Sequence, residues 1–134
     1  MKKDFMEERL KRKILVIDDE PGVVHLIKAR LEANHYEVLT AYDGIEALER
    51  VTVDKPDLIL LDILMPRMDG GTFLQEMKKR GLMGTIPVIV LTAKANMREF
   101  FLIGGVVEFI VKPFEAKNLL REIEKHLSPS RSVS

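Results

Sequence analysis

Five residues carry the chemistry that this sequence can support: Asp18, Asp19, Asp62, Thr92 and Lys112. Asp62 stands directly after Leu58, Ile59, Leu60 and Leu61. That apolar run is bounded by Lys55-Pro56-Asp57 on one side and by Met65-Pro66 and Asp69-Gly70 on the other. A short apolar run between breakers reads as a strand buried on both faces, so its acid lies at the strand's C-terminal edge. The other four residues hold equivalent places. Asp18 and Asp19 follow Lys13–Ile17, Thr92 follows Ile86–Leu91, and Lys112 follows Val106–Val111. If these runs are parallel strands of one sheet, three acids, one hydroxyl and one ammonium share the edge where ligands collect in open α/β sheets.

Carboxylates brought together repel one another, and each raises its neighbours' pKa unless a cation intervenes. A donor set made only of oxygen suits Mg²⁺, which takes one or two carboxylates, retained waters and a substrate phosphate. With that charge matched, Asp62 can stay ionised as a nucleophile. Lys112 can neutralise an incoming phosphoryl group, and Thr92 can donate a hydrogen bond to one of its oxygens. Phosphoryl transfer needs mainly positioning and charge stabilisation, and this set supplies both. Taken singly, each residue has a plainer reading: Asp62 as a loop acid, Asp18-Asp19 as caps before Pro21, Lys112 as a solvated charge, Thr92 as a turn hydroxyl. The combination, in this order on successive strand ends, favours the chemistry.

The elements that must position these groups alternate. Tyr36–Ala41 adds a further strand to those at Lys13–Ile17, 58–61, Ile86–Leu91 and Val106–Val111. Helices are expected between them. The first starts at Pro21 and carries a stripe of Val23, Val24, Ile27 and Leu31, broken at Asn34-His35. The next opens on a capping box, with Asp43 as cap and Glu46 reaching back, and packs Ala47, Leu48 and Val51. A third turns Phe73, Leu74 and Met77 inward and ends near Gly81 or Gly84, with Gly70-Gly71 loosening its start. A fourth covers roughly 95–103, and a last one, about 115–127, aligns Leu119, Leu120, Ile123 and Leu127. Five βα units predict a parallel sheet with helices on both faces and right-handed crossovers. The charged stretch 1–12 reads as a leader, 13–127 as one domain, and 128–134 as a flexible tail or linker stub.

Composition narrows the class. The chain has 134 residues, 46% apolar and 31% charged, as expected for one globular domain with a proper core. Lysine plus arginine and aspartate plus glutamate are equal at 21 each, so no basic excess points to direct nucleic-acid binding. The absence of cysteine removes disulfides, thiol catalysis and Cys-ligated zinc. No apolar run approaches a membrane span and the N-terminus lacks a signal-peptide core, so a cytoplasmic location is expected. The glycines match neither GxxxxGK[ST] nor GxGxxG. His25, His35 and His126 show no ligand spacing to one another or to an acid pair and are expected at the surface.

The sequence resembles the receiver domain of bacterial two-component response regulators. The resemblance rests on Ile14-Leu15-Val16-Ile17-Asp18-Asp19-Glu20-Pro21, on Leu61-Asp62 with Met65-Pro66 and Asp69-Gly70, on Thr92-Ala93, and on Lys112-Pro113-Phe114. It covers roughly residues 13–127. It implies a flavodoxin-like (βα)5 three-layer sandwich with a five-stranded parallel sheet of order 2-1-3-4-5. It further implies that Asp62 takes a phosphoryl group from a sensor histidine kinase or phosphotransfer protein. Asp18, Asp19, Asp62 and the Leu64 backbone carbonyl would hold Mg²⁺. Lys112 would pair with the phosphate, Thr92-Ala93 and Phe109 would form the switch, and the Lys112-Pro113 bond would be cis. The implied partners are that kinase, a downstream target or output domain and, as a further option, a phosphorylation-dependent homodimer.

Three features depart from the family's pattern. Leu64, two residues after the acceptor, replaces a side chain that is often polar, and Lys94 lies two after Thr92. These positions flank the path of the hydrolytic water, which an apolar Leu64 cannot orient, so slow self-dephosphorylation is expected. The segment between Thr92 and Lys112 is slightly short. It also contains Phe100-Phe101-Leu102-Ile103, four apolar residues that cannot all face the core from a surface helix. Either that helix sits deep, or Phe100 and Phe101 meet a partner. Two other readings compete with the phospho-switch. An aspartyl-phosphate phosphatase of the haloacid-dehalogenase kind needs an acid two residues after its nucleophile, where Leu64 stands. A receiver-shaped interaction domain that signals without phosphorylation would have no need of the full set of five residues. The expected class is a switch rather than an enzyme, either standing alone or cut from a longer protein.

Overall fold

The computed structural model describes residues 12–63, 68–93 and 105–127. The strands are β1 (Lys13–Ile17), β2 (Glu37–Ala41), β3 (Leu58–Asp62), β4 (Val88–Thr92) and β5 (Val106–Val111). The helices are α1 (Pro21–Ala33), α2 (Gly44–Asp54), α3 (Gly70–Lys79) and α4 (Ala116–Leu127). All strand pairs are parallel, in the order β2-β1-β3-β4-β5, as expected. The helix expected over 95–103, the stretches 1–11 and 128–134, and residues Leu64, Lys94, Phe100 and Phe101 lie outside the described residues.

The alternation of side chains along each strand builds two cores, one on each face of the sheet. Leu15, Ile17, Ile59, Leu61, Val88 and Val90 pack with Ala47, Leu48 and Val51 of α2 and with Phe73, Leu74 and Met77 of α3. The intervening residues Ile14, Val16, Leu58, Leu60, Ile89 and Leu91 pack with Val24, Ile27 and Leu31 of α1 and with Leu119 and Ile123 of α4. Strands β3 and β4 are buried at every position, whereas β5 is only partly covered along its length.

Local chemistry sets the boundaries. Asp43 caps α2 by accepting from the Glu46 amide at 2.9 Å, and Glu46 accepts in return from the Tyr42 amide at 2.8 Å. The capping box is therefore present, with its return bond one residue earlier than the usual pattern. Asp69 caps α3 by accepting from the Thr72 amide at 2.8 Å. Helix α3 starts at Gly70, whose amide donates to the Ile63 carbonyl at 2.8 Å. A Cβ there would lie 2.7 Å from Ile63 Cα and 2.9 Å from the Asp62 carbonyl oxygen, so only glycine lets the helix seat this close to β3. His35 and Lys55, with φ of 72° and 49°, take the left-handed conformation that turns the chain out of α1 and α2.

Several boundaries differ from expectation: β3 and β4 run on to include Asp62 and Thr92, and α3 ends at Lys79. β2 starts at Glu37 rather than Tyr36. β4 starts at Val88, because Pro87 has no amide to donate, and Ile86 bridges back to Met83 instead. Arg12 belongs with the fold rather than the leader: its carbonyl accepts from the Glu37 amide at 2.9 Å and its guanidinium donates to the Leu127 carbonyl at 3.0 Å.

Candidate functional site

The site grows out of the sheet's hydrogen-bond ladder. Ile17 stands opposite Leu61, and Asp62 opposite Leu91, so the next residue after β1, Asp18, lies level with Asp62. The Asp18 amide extends the ladder to β2 by donating to the Ala41 carbonyl at 3.1 Å. On the other side, Thr92 stands opposite Val111, and the Lys112 amide donates to the Thr92 carbonyl at 2.7 Å. Backbone bonds thus fix Asp18 and Lys112 one step beyond their strands, on the same edge as Asp62 and Thr92.

Their side chains converge. Lys112 Nζ donates to Asp18 Oδ2 at 2.6 Å and lies 3.8 Å from Asp62 Oδ2. Asp18 is 1% exposed and Asp62 7%, while Thr92 is fully buried. Asp18 Oδ1 accepts from the Glu20 amide at 3.0 Å. Neither Asp18 nor Asp19 caps α1, whose N-cap is Glu20 and which has no side-chain cap bond. The plainer reading of the acid pair as helix caps therefore fails, and so does that of Lys112 as a solvated charge. Burial alone would lower the Lys112 pKa. The hydrogen bond to Asp18 and the fields of Asp18, Asp62 and Glu20 outweigh it and hold the ammonium above its ordinary value.

Carboxylate oxygens of Asp18, Asp19 and Asp62 lie within 4.8 Å of one another. Three carboxylates against one ammonium leave a formal excess of two negative charges, in a place where two of the acids are buried. That all-oxygen set, with its charge excess, fits a hard dication such as Mg²⁺. Leu64, whose carbonyl was expected to complete the set, lies outside the described residues, as does Lys94. Ala93 is exposed. Phe109 stands opposite Val90 and packs, half-buried, against the α2–α3 core. The Lys112-Pro113 bond is cis, as the resemblance implied.

The surface expectation holds for His25 and His35, which are exposed, but not for His126. His126 is largely covered and gathers with Glu122 and Glu108. The four-residue spacing of Glu122 and His126 on one helix was the signal available in the sequence. Glu108 comes from β5 and could not be read from spacing.

A parallel five-stranded sheet of this order, with acids and a lysine at its C-terminal edge, defines a phospho-receiver class of fold and site. The chain belongs to the response regulator receiver domain family, whose pattern it matches over residues 14–124. It is 36% identical over 125 residues to the alkaline phosphatase synthesis transcriptional regulatory protein PhoP of Bacillus subtilis, covering 90% of this chain and 50% of that protein. The chain spans about half the length of such transcriptional-regulator relatives. Among solved structures, it is similar to a CheY-like response regulator receiver domain protein from Methanospirillum hungatei. The TM-score is 0.82 at 28% identity, over 92% of this chain and 99% of that one. It is also similar to the response regulator TrrA from Thermotoga maritima in complex with Mg(2+)-BeF. There the TM-score is 0.76 at 34% identity, over 85% of this chain and 97% of that one.

Proposed function

We propose that Asp62 is the phosphoryl acceptor of a cytoplasmic two-component switch, and that the donor is a phosphohistidine on a sensor kinase or phosphotransfer protein. The observation that carries this is the convergence of Asp18, Asp62 and Lys112 on one sheet edge. An Asp62 oxygen attacks phosphorus, the N–P bond breaks, and its electron pair returns to the donor's imidazole. Asp18, Asp19 and Asp62 would hold Mg²⁺, which when bound supplies charge neutralisation for the phosphoryl oxygens. The solved complex of TrrA with Mg(2+)-BeF supports this assignment.

The switch then follows from a change of partners. Lys112 is held by Asp18 at 2.6 Å and stands 3.8 Å from Asp62. Phosphorylation replaces the single charge of the Asp62 carboxylate with a phosphoryl group of charge about −1.5 to −2 that reaches farther out, and draws the ammonium toward it. Thr92, at the end of the neighbouring strand, donates its hydroxyl to a phosphoryl oxygen. Phe109 on β5 moves with it, so the charge on Asp62 is read out along β4 and β5 by a target or output domain.

The test is incubation with acetyl phosphate and Mg²⁺ followed by intact mass. A phosphoryl-sized gain is expected in the wild type and none in Asp62→Asn. An unmodified wild type, or a gain that survives the substitution, overturns the assignment.

A further inference from the structure

We propose that Glu108, Glu122 and His126 form a second metal site, between β5 and α4, for a borderline transition-metal dication of the zinc type. One ligand atom from each of the three residues lies within 4.8 Å of the others. In two of these residues a polar atom, Glu122 Oε1 and His126 Nε2, is buried and has no hydrogen-bond partner among the described residues. Folded proteins pair nearly all such groups, because each one left unmade costs about 1–3 kcal/mol. The two atoms face each other at 3.8 Å, too far for a hydrogen bond. Two donors each about 2.1 Å from a shared tetrahedral ion sit about 3.4 Å apart, so a small side-chain adjustment lets one ion satisfy both.

The fold explains how the third ligand arrives. Pairing of β4 with β5 shifts register between Val88 and Ile89, so that Glu108, not Val107, stands opposite Ile89. Ile89 belongs to the core covered by α4, together with Leu119 and Ile123. The bulge therefore turns Glu108 to the face that α4 covers. Glu122 and His126, one turn apart, present their ligand atoms from the helix. The site also lies in the last turn of α4, where the helix dipole favours a cation. Lys125 Nζ is 4.0 Å from Glu122 Oε1, but its side chain is 64% exposed and can swing away.

The donor chemistry separates this site from the acidic edge. A nitrogen with two carboxylates prefers zinc-like ions over Mg²⁺, whereas the Asp18–Asp19–Asp62 set is all oxygen. The inference does not depend on phosphorylation of Asp62.

Equilibrium dialysis of the whole chain against Zn²⁺, in excess Mg²⁺, tests it. Tight zinc binding is expected that Asp19→Asn does not remove. Loss of an outer-sphere partner already costs a metal site about 10–100-fold in affinity, so Glu122→Gln and His126→Asn are each expected to weaken binding roughly tenfold or more. Lys125→Ala removes a competing cation and is expected to tighten it. Absence of zinc binding, or binding unchanged by both ligand substitutions, overturns the proposal. Imidazole NMR on the wild type gives an answer even if a variant fails to fold. Zinc should move the His126 ring signals and leave those of His25 and His35 in place; no movement, or movement of the other two instead, refutes the site.

Discussion

Gly70→Ala tests the frame that holds Asp62 in place. The added Cβ would stand 2.7 Å from Ile63 Cα, against an ordinary contact of at least 3.4 Å, so the start of α3 must retreat by about 0.7 Å. That retreat stretches the Gly70–Ile63 hydrogen bond from 2.8 Å to about 3.5 Å, the edge of what counts as a bond. Overpacking of this kind costs about 1–3 kcal/mol and the weakened bond about 1 kcal/mol, while alanine returns at most about 1 kcal/mol of helix propensity. The net expectation is a loss of about 2 kcal/mol, or a fall in Tm of roughly 6–8 °C. Gly22→Ala is the control, because a Cβ at Gly22 in α1 meets nothing within 4 Å. It should leave stability unchanged or raise it by up to about 1 kcal/mol. Urea unfolding of both variants reads the difference. Because the Asp62 carbonyl is the second atom in the way, acetyl-phosphate labelling of Gly70→Ala should also slow. A Gly70→Ala chain as stable as Gly22→Ala would refute the close-approach argument.

Asp62→Asn removes one of three mutually repelling carboxylates and, with it, the charge that faces Lys112 at 3.8 Å. In Mg²⁺-free buffer it should therefore stabilise the fold by about 1 kcal/mol, and Mg²⁺ should narrow or reverse that order; a destabilised apo variant would count against charge repulsion at the site. The raised Lys112 pKa means that its contribution to stability is complete below the unfolded value of 10.5 and is lost as pH rises through the folded one. The stability gap between wild type and Lys112→Met should accordingly hold constant from neutral pH into the alkaline range and close only above 10.5; closure nearer neutrality would contradict the ion pair with Asp18. Leu64→Asn supplies a polar group two residues after the proposed acceptor and should shorten the phosphoryl lifetime, followed by loss of the mass-shifted species after donor removal. An unchanged or longer lifetime would show that Leu64 does not limit hydrolysis.

Most of the acidic edge could be read from the sequence, because each of its residues closes an apolar run whose length and composition mark a strand. Parallel pairing puts all the strand ends on one edge, and the order 2-1-3-4-5 that the resemblance implied makes the ends of β1, β3, β4 and β5 successive neighbours, so that Asp18, Asp62 and Lys112 meet with Thr92 on the same edge. The core stripes of α2 and α3 were equally plain, since a 3.6-residue period admits one buried face. What escaped depends on tertiary detail. Pro87 shifts the start of β4 by its missing amide. Gly70 reads as a loose helix start, yet its lack of a side chain is what lets α3 approach β3. His126 seemed partnerless because one of its neighbours, Glu108, reaches it only through a register shift between β4 and β5, which no periodicity announces.

The uneven burial of the sheet has a mechanical meaning. Asp62 ends β3, a central strand buried at every position, while Lys112 follows β5, an edge strand with solvent along much of its length. Local opening requires little apolar surface to be exposed at β5 and a great deal at β3. Amide hydrogen exchange should rank the two strands accordingly, with β5 exchanging by local fluctuation and β3 only by global unfolding. The proposed acceptor thus sits on a fully buried central strand, and the lysine beside it follows a partly exposed edge strand. On the proposed reading, charge gained at Asp62 pulls on Lys112 and displaces the rim of the sheet before its centre.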